Sequence, residues 1–258
     1  MKHFWINPKK TQTKAQRIIS LVPSQTELLV DLGLRNKIVG ITKFCVHPQN
    51  LKEEKTIIGG TKQVHIPKIE QLKPDLILAN KEENTKEIIE SLKDIAPIFI
   101  TDIYDLKDAI SMIHAVGQIT NTQNQADKIA KTIENAFRKL EFHKKTIKKV
   151  AYFIWKKPWM VVGNNNFIHT LFPYLGLENA FHTYDRYPEV VWSNPLWKEV
   201  DYIFLSSEPY PFKEKHIAEV QEKVPHAKIF LVDGEYFSWY GSRLIGTAAY
   251  LQELKQRF

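Results

Sequence analysis

The sequence predicts an α/β protein of two lobes, each with a mainly parallel sheet, bridged by one long rigid helix. Three observations predict it. Short apolar, β-branched runs alternate with helical patterns toward both ends of the chain. The strand-like runs stop near residue 100 and begin afresh at 149. Between them, residues 120–146 repeat apolar side chains at i, i+3, i+4 and i+7 with no proline or glycine. The 258 residues therefore divide into a first lobe (1–119), a bridging helix (120–147) and a second lobe (148–258).

RIISLV (17–22) is a run suited to a buried strand, and Pro23, lacking an amide hydrogen, should end it. Ser24 and Glu27 stand in S-x-x-E spacing, which predicts a capping box at the start of a helix over 25–32. Leu28, Leu29 and Leu32 form one apolar stripe, and Gly33 suits the left-handed position past the helix end. KIVGI (37–41) reads as the next strand, followed by strands at 75–79 and 97–100 and helices at 66–72, 84–94 and 105–118. In the bridge, Ala126, Ile129, Ala130, Ile133, Phe137 and Leu140 line one face. A helix of about 25 residues there would span roughly 38 Å. KVAYFIW (149–155), WMVVG (159–163), YIFLSS (202–207) and KIFLV (228–232) supply the second set of strands, with helices at 166–175, 213–224 and 241–256.

Hydrophobic residues make up 43% and charged residues 25%, enough for a substantial core, and no apolar run approaches a membrane span of roughly 18–20 residues. The net charge of +7 is spread over scattered lysines. Only KKTIKK (144–149) is dense, and it reads as a solvated helix end, not a nucleic-acid patch. One cysteine, Cys45, excludes an intrachain disulfide and a multi-cysteine zinc site. The first residues hold neither an apolar signal segment nor a cysteine for a lipid anchor. As it stands this predicts a cytoplasmic location, or a periplasmic one if a signal has been removed. There is no nucleophile elbow, phosphate-cradling glycine loop or paired catalytic carboxylates, so the chain is not expected to be an enzyme. IIGGT (57–61) lacks the lysine–hydroxyl pair of a phosphate loop, and GNNNF (163–167) reads as a turn into a helix.

RIISLVPSQTELLVDLGLRNKIVGIT, followed by FCVHP and IIGGTKQVHIPKIEQLKPDLILAN, resembles the N-terminal lobe of class III substrate-binding proteins. These deliver cobalamin, iron-siderophores or haem to bacterial ABC importers. FIHTLFPYLGLENAF (167–181) and LVDGEYFSWYGSRLIGTAAYLQEL (231–254) extend the likeness over residues 17–256, and the cobalamin-binding branch is closest. The resemblance implies a largely preformed ligand cleft between the lobes. It implies no required cofactor, and a ligand such as cobalamin, an iron-siderophore or haem.

A bulky chelate needs aromatic walls and a few fixed polar groups. In the first lobe the candidates are Gln25, Phe44, His47, Lys62 and His65. In the second they are Trp159, Arg186, Tyr187, Trp192, Tyr210, Phe237, Trp239 and Arg243. Phe44 corresponds by the resemblance to an aromatic laid against the corrin, while the loop 61–65 lacks the tryptophan common there. Glu27 reads as scaffold. No metal site is assigned, although His47 and His65 with Glu208 or Asp233 form an alternative direct metal set. A cytoplasmic enzyme or chaperone handling a tetrapyrrole or metal chelate on the same fold is the other alternative. Importer-coupled members show a docking glutamate on each lobe. Here Pro67 and Ser193 or Asn194 stand at those places, with Glu70 the nearest acid to the first, so coupling to a permease is left open. No nucleic-acid partner and no membrane insertion are expected.

Overall fold

A computed structural model describes residues 4–6, 15–141 and 148–258. The chain falls into two units. In the first, the strands are β1 (Phe4–Ile6), β2 (Ile18–Ser20), β3 (Ile38–Ile41), β4 (Thr56–Ile57), β5 (Leu76–Asn80) and β6 (Ile98–Thr101). Its helices are α1 (Pro23–Asp31), α2 (Leu51–Glu54), α3 (Ile66–Gln71), α4 (Lys86–Leu92) and α5 (Leu106–Thr120). The sheet order is β1-β6-β5-β2-β3-β4, parallel throughout except for β1, which adds antiparallel to β6 and sets Trp5 on Phe99. The expected strands sit in the middle of this sheet. β2 and β5 are buried along their whole length, because helices cover both faces of a parallel sheet. Ile19, Ile77 and Ile98 have no exposed surface. Burying each such side chain is worth about 1.5–3 kcal/mol.

The bridge is shorter than its sequence pattern. α5 ends at Thr120, Asn121 takes a left-handed φ of 58°, and a new helix, α6 (Gln123–Arg138), begins after Thr122. At 16 residues it is about 24 Å long. Thr122 is the reason for the break. Its amide donates to Gly117 carbonyl at 2.7 Å while its own carbonyl accepts from Gln125 and Ala126, so one helix closes as the next opens. Gly117 packs so closely on Ala126 that an added Cβ would lie 2.4 Å from that methyl. Residues 142–147, which include Lys144 and Lys145 of the lysine cluster and the end of the expected bridge, lie outside the described residues.

The division of the chain falls inside α6, between Glu134 and Asn135. Two short stretches depart from the expected boundaries: Tyr104–Leu106 groups with the second unit and Trp239–Ile245 with the first. The chain therefore passes between units at more places than one helix.

In the second unit the strands are β7 (Lys148–Trp155), β8 (Met160–Val161), β9 (Leu177–Asn179), β10 (Tyr202–Ser206) and β11 (Lys228–Val232). The helices are α7 (Phe172–Leu175), α8 (Glu214–Gln221), α9 (Glu235–Ser238) and α10 (Leu244–Lys255). β11-β10-β7 run parallel, β9 joins β7 in parallel, and β8 returns antiparallel as a hairpin. The expected helix over 166–175 is a 3-10 turn, Ile168–Leu171, followed by the four-residue α7. Pro173 cannot donate within a longer α-helix.

Candidate functional site

Parallel strands deliver their C-terminal ends to one edge of each sheet, where ligands of open α/β sheets are held. In the first unit a buried polar layer ties those ends together. Asn80, at the end of β5, donates from Nδ2 to the Thr101 carbonyl (3.1 Å) and Oγ1 (3.0 Å) at the end of β6. Asn84 Oδ1 accepts from the Asn80 amide at 2.9 Å, and Asn84 Nδ2 donates to the Thr61 carbonyl at 2.9 Å. Gln25 Nε2 donates to Thr101 Oγ1 at 2.5 Å. Gln25 is fully buried. It is a correction to the candidate set, since its amide braces the layer from beneath and offers no exposed surface. Asn80, Asn84 and Thr101 escaped the sequence reading; the signal was an asparagine closing the apolar run DLILAN.

Above this layer, the loop after β3 and the turn 58–65 are zipped together. The Lys43 amide donates to Gly59 carbonyl at 2.8 Å and the Gly60 amide to Gln63 carbonyl at 2.7 Å. Gly59 has φ 122°, and a Cβ there would lie 2.4 Å from the Gln63 carbonyl oxygen, so the turn requires glycine. This turn presents Lys62 to solvent, and the paired loop presents Phe44 (51% exposed) and Val46 (38%). Lys43 Nζ lies 5.1 Å over the Phe44 ring. Beside Lys62, burial pushes the Glu83 carboxyl above its ordinary range, with Glu82 adding to the rise and Lys62 and Thr61 opposing it. His65 is exposed, but its Nδ1 accepts from the Lys68 amide at 3.3 Å and caps α3.

The predicted capping box does not form. α1 starts two residues early, with Val22 as N-cap and Pro23 inside the first turn, so Ser24 is already helical and buried. Glu27 turns to Arg243 instead, a partner 216 residues away, and accepts two bonds at 2.7 and 3.0 Å. Both side chains are mostly buried. The Arg243 guanidinium lies 4.9 Å over the Trp239 ring, and the His47 ring meets Trp239 edge-on at 5.4 Å. Gly241 approaches the Ser24 carbonyl so closely that a Cβ would sit 2.7 Å from it. Trp239 and Arg243, expected in the second lobe, are therefore built into the first unit as a clasp on α1. Burial raises the Glu27 carboxyl, with the Arg243 charge opposing.

In the second unit the candidates form two groups. Trp159 and Trp192 meet edge to face at 5.1 Å and pack on Phe153, at the rim of the core. Tyr210 lies 4.7 Å from Phe212 and 5.7 Å from the exposed Trp155. The other group is Arg186, whose guanidinium lies 5.6 Å over Tyr104 and 5.8 Å over Tyr187. Arg186 has φ 51°, a conformation costly for a non-glycine residue. Two zipped loops hold it there. The Gly163 amide donates to Arg186 carbonyl and the Asn164 amide to Tyr184 carbonyl, both at 2.7 Å, and the Arg186 amide returns to Asn164 carbonyl at 2.8 Å. Phe237 is a further correction: it is fully buried against Tyr152 and Phe204, so it belongs to the core.

Among the described residues, no three His, Cys, Asp or Glu side chains gather as metal ligands. The alternative metal set is otherwise engaged. His65 caps α3, Glu208 Oε1 accepts from Ser238 at 2.5 Å, and Asp233 Oδ1 accepts from the Glu235 amide at 3.0 Å. Pro67 and Ser193 are exposed, while Asn194 caps a 3-10 turn and donates to Tyr184 Oη at 3.1 Å.

The family model for "Periplasmic binding protein" matches residues 18–227. The chain belongs to that family. Among curated proteins, it is 26% identical over 195 residues to a vitamin B12-binding protein of Vibrio parahaemolyticus, covering 74% of this chain and 70% of the relative. An uncharacterised ABC transporter substrate-binding lipoprotein of Bacillus subtilis is 27% identical over 175 residues, covering 64% of this chain and 55% of the relative. The chain thus spans about half of that lipoprotein's length. Among solved structures, the periplasmic vitamin B12 binding protein of Vibrio cholerae superposes with a TM-score of 0.79 at 22% identity, over 95% of this chain and 99% of that one. That likeness carries the two-lobed α/β fold of periplasmic binding proteins. Among the described residues no helix is long and apolar enough to cross a membrane.

Proposed function

We propose that this chain is a substrate-binding protein of the ABC-importer type whose ligand is a cobalamin-like corrinoid, or failing that another bulky metal chelate such as a siderophore or haem. The observation that carries the reading is the family match over most of the chain, together with a vitamin B12-binding relative covering 74% of it. The site chemistry supports it. Phe44 and Val46 in the first unit, and Trp155 and Tyr184 in the second, are exposed large apolar side chains among cations and hydrogen-bonding groups. That mixture suits a flat, partly apolar ligand edged with polar groups. Phe44, Lys62 and His47 are the contacts proposed in the first unit. In the second they are Arg186, Tyr187, Tyr210 and the outer edges of Trp159 and Trp192.

A permease partner belongs to the same reading, supported by the lipoprotein relative. Glu70 is the acid that α3 offers beside Pro67. The reading implies action on the outer side of the importer, which fractionation of the source cells tests. The ligand is tested by titrating cyanocobalamin, haemin and a ferric siderophore into the protein while following tryptophan emission. Saturable quenching by the corrinoid supports the proposal, and no response to any of the three overturns it.

A further inference from the structure

His216 sits in the first turn of α8 and is 4% exposed. Its Nδ1 accepts from the Lys213 amide at 2.9 Å, which completes the cap of the helix. An accepting Nδ1 fixes the ring proton on Nε2. Nε2 faces the Tyr210 hydroxyl at 3.4 Å, a long hydrogen bond. The imidazole also packs edge-on against Phe212 (5.5 Å) and Tyr210 (5.6 Å), and the Tyr210 ring in turn meets the exposed Trp155. One neutral imidazole thus spans a helix cap and a ring at the candidate ligand surface.

We infer that protonation of His216 is a switch that releases Tyr210 and Trp155 from their positions and so weakens ligand binding in acid. That these rings touch ligand rests on the function proposed above. A second ring proton would point Nδ1–H at the Lys213 N–H, donor against donor, so the cap bond is lost and the ring must turn. The surroundings resist the charge. From the end of β7, Lys156 faces the ring with its ammonium engaged by Glu219; on α8 itself, Lys215 opposes the charge and Glu219 favours it. From the loop before α8, the facing groups are the Tyr210 hydroxyl and the Lys213 amide. Burial and these lysines lower the pKa of His216 below its ordinary value, so the switch operates on the acid side of 6.5.

The test uses the ligand-free protein, so it stands whatever the ligand proves to be. Trp155 emission, taken as the difference between wild type and Trp155→Phe, is followed from pH 8 to pH 5 alongside the NMR shift of the His216 ring. The expected result is one step shared by both signals, with its midpoint below 6.5. The Trp155 step is lost in His216→Gln, and in Tyr210→Leu, which removes the ring joining the two, the imidazole titrates without moving Trp155. A Trp155 step that survives in Tyr210→Leu, or a His216 titration that leaves wild-type Trp155 unmoved, overturns the inference. The Tyr210→Leu arm holds even if His216→Gln fails to fold. With a corrinoid bound, a several-fold affinity loss between pH 7.5 and pH 5 that disappears in His216→Gln extends the switch to binding. An equal loss in both proteins overturns that extension.

Discussion

Replacing Glu27 by Gln leaves the Arg243 guanidinium in a mostly buried site with no carboxylate. The pair is bidentate, at 2.7 and 3.0 Å, and the two side chains are 17% and 12% exposed. Breaking a buried pair by removing one partner costs about 3–5 kcal/mol. Arg243 keeps its stacking on Trp239 at 4.9 Å, so Glu27→Gln falls at the lower end, about 3 kcal/mol. Arg243→Met keeps the packing and strands the carboxylate instead, at a similar cost. The double variant Glu27→Leu/Arg243→Met leaves no charge behind and should lie within about 1 kcal/mol of wild type. Urea unfolding followed by circular dichroism reads all three. With a slope of about 2 kcal/mol per molar, each single variant lowers the first unit's midpoint by roughly 1.5 M. Single variants that each cost under about 1 kcal/mol and add without coupling would refute the reasoning and mark the pair as surface-like.

Three further outcomes follow from the geometry. Gly163→Ala forces a Cβ to 2.4 Å from the Tyr184 carbonyl oxygen, so the loops gripping Arg186 must part. The expected loss is about 1–3 kcal/mol by thermal or urea unfolding, with the Arg186 environment changed in NMR spectra. Asn84→Ala removes the amide joining Asn80 to the Thr61 carbonyl and leaves buried partners unmatched, costing about 1–3 kcal/mol in the first unit. His169 and His216 have folded pKa values lowered by burial, so the unfolded chain binds more protons on the acid side of 6.5. Second-unit stability is then complete above pH 6.5 and falls as pH drops through the folded values, a slope that His216→Gln reduces in pH-dependent urea unfolding.

Much of the scaffold is legible in the sequence because its strands are continuous apolar runs. DLILAN and YIFLSS can be little else than buried parallel strands, and they appear at Leu76–Asn80 and Tyr202–Ser206. The three-residue β1 and the two-residue β4 carry too little pattern to be seen. The junction near Asn121 is legible, since one helix is expected to end at 118 and the bridge to begin at 120, but the backbone bonds of Thr122 that set its position are not revealed by composition. The site is less legible. An aromatic side chain reads the same in a core as on a surface, so the sequence does not separate Phe237, which packs on Tyr152, from ligand-facing rings. The spacing of Ser24 and Glu27 fits a cap, and no local pattern announces that Glu27 pairs with a residue 216 positions away. No local pattern singles out Phe44, whose ring is 51% exposed on the loop after β3.

Calorimetric titration of cyanocobalamin into wild type and Phe44→Ser reads corrinoid binding and its aromatic wall together. The ring is exposed on a loop, so the substitution leaves the fold intact while removing an apolar wall. Saturable binding to wild type is expected at micromolar affinity or tighter, weakened at least tenfold in Phe44→Ser, or about 1.4 kcal/mol. No heat with wild type, or equal affinity for both proteins, would contradict it.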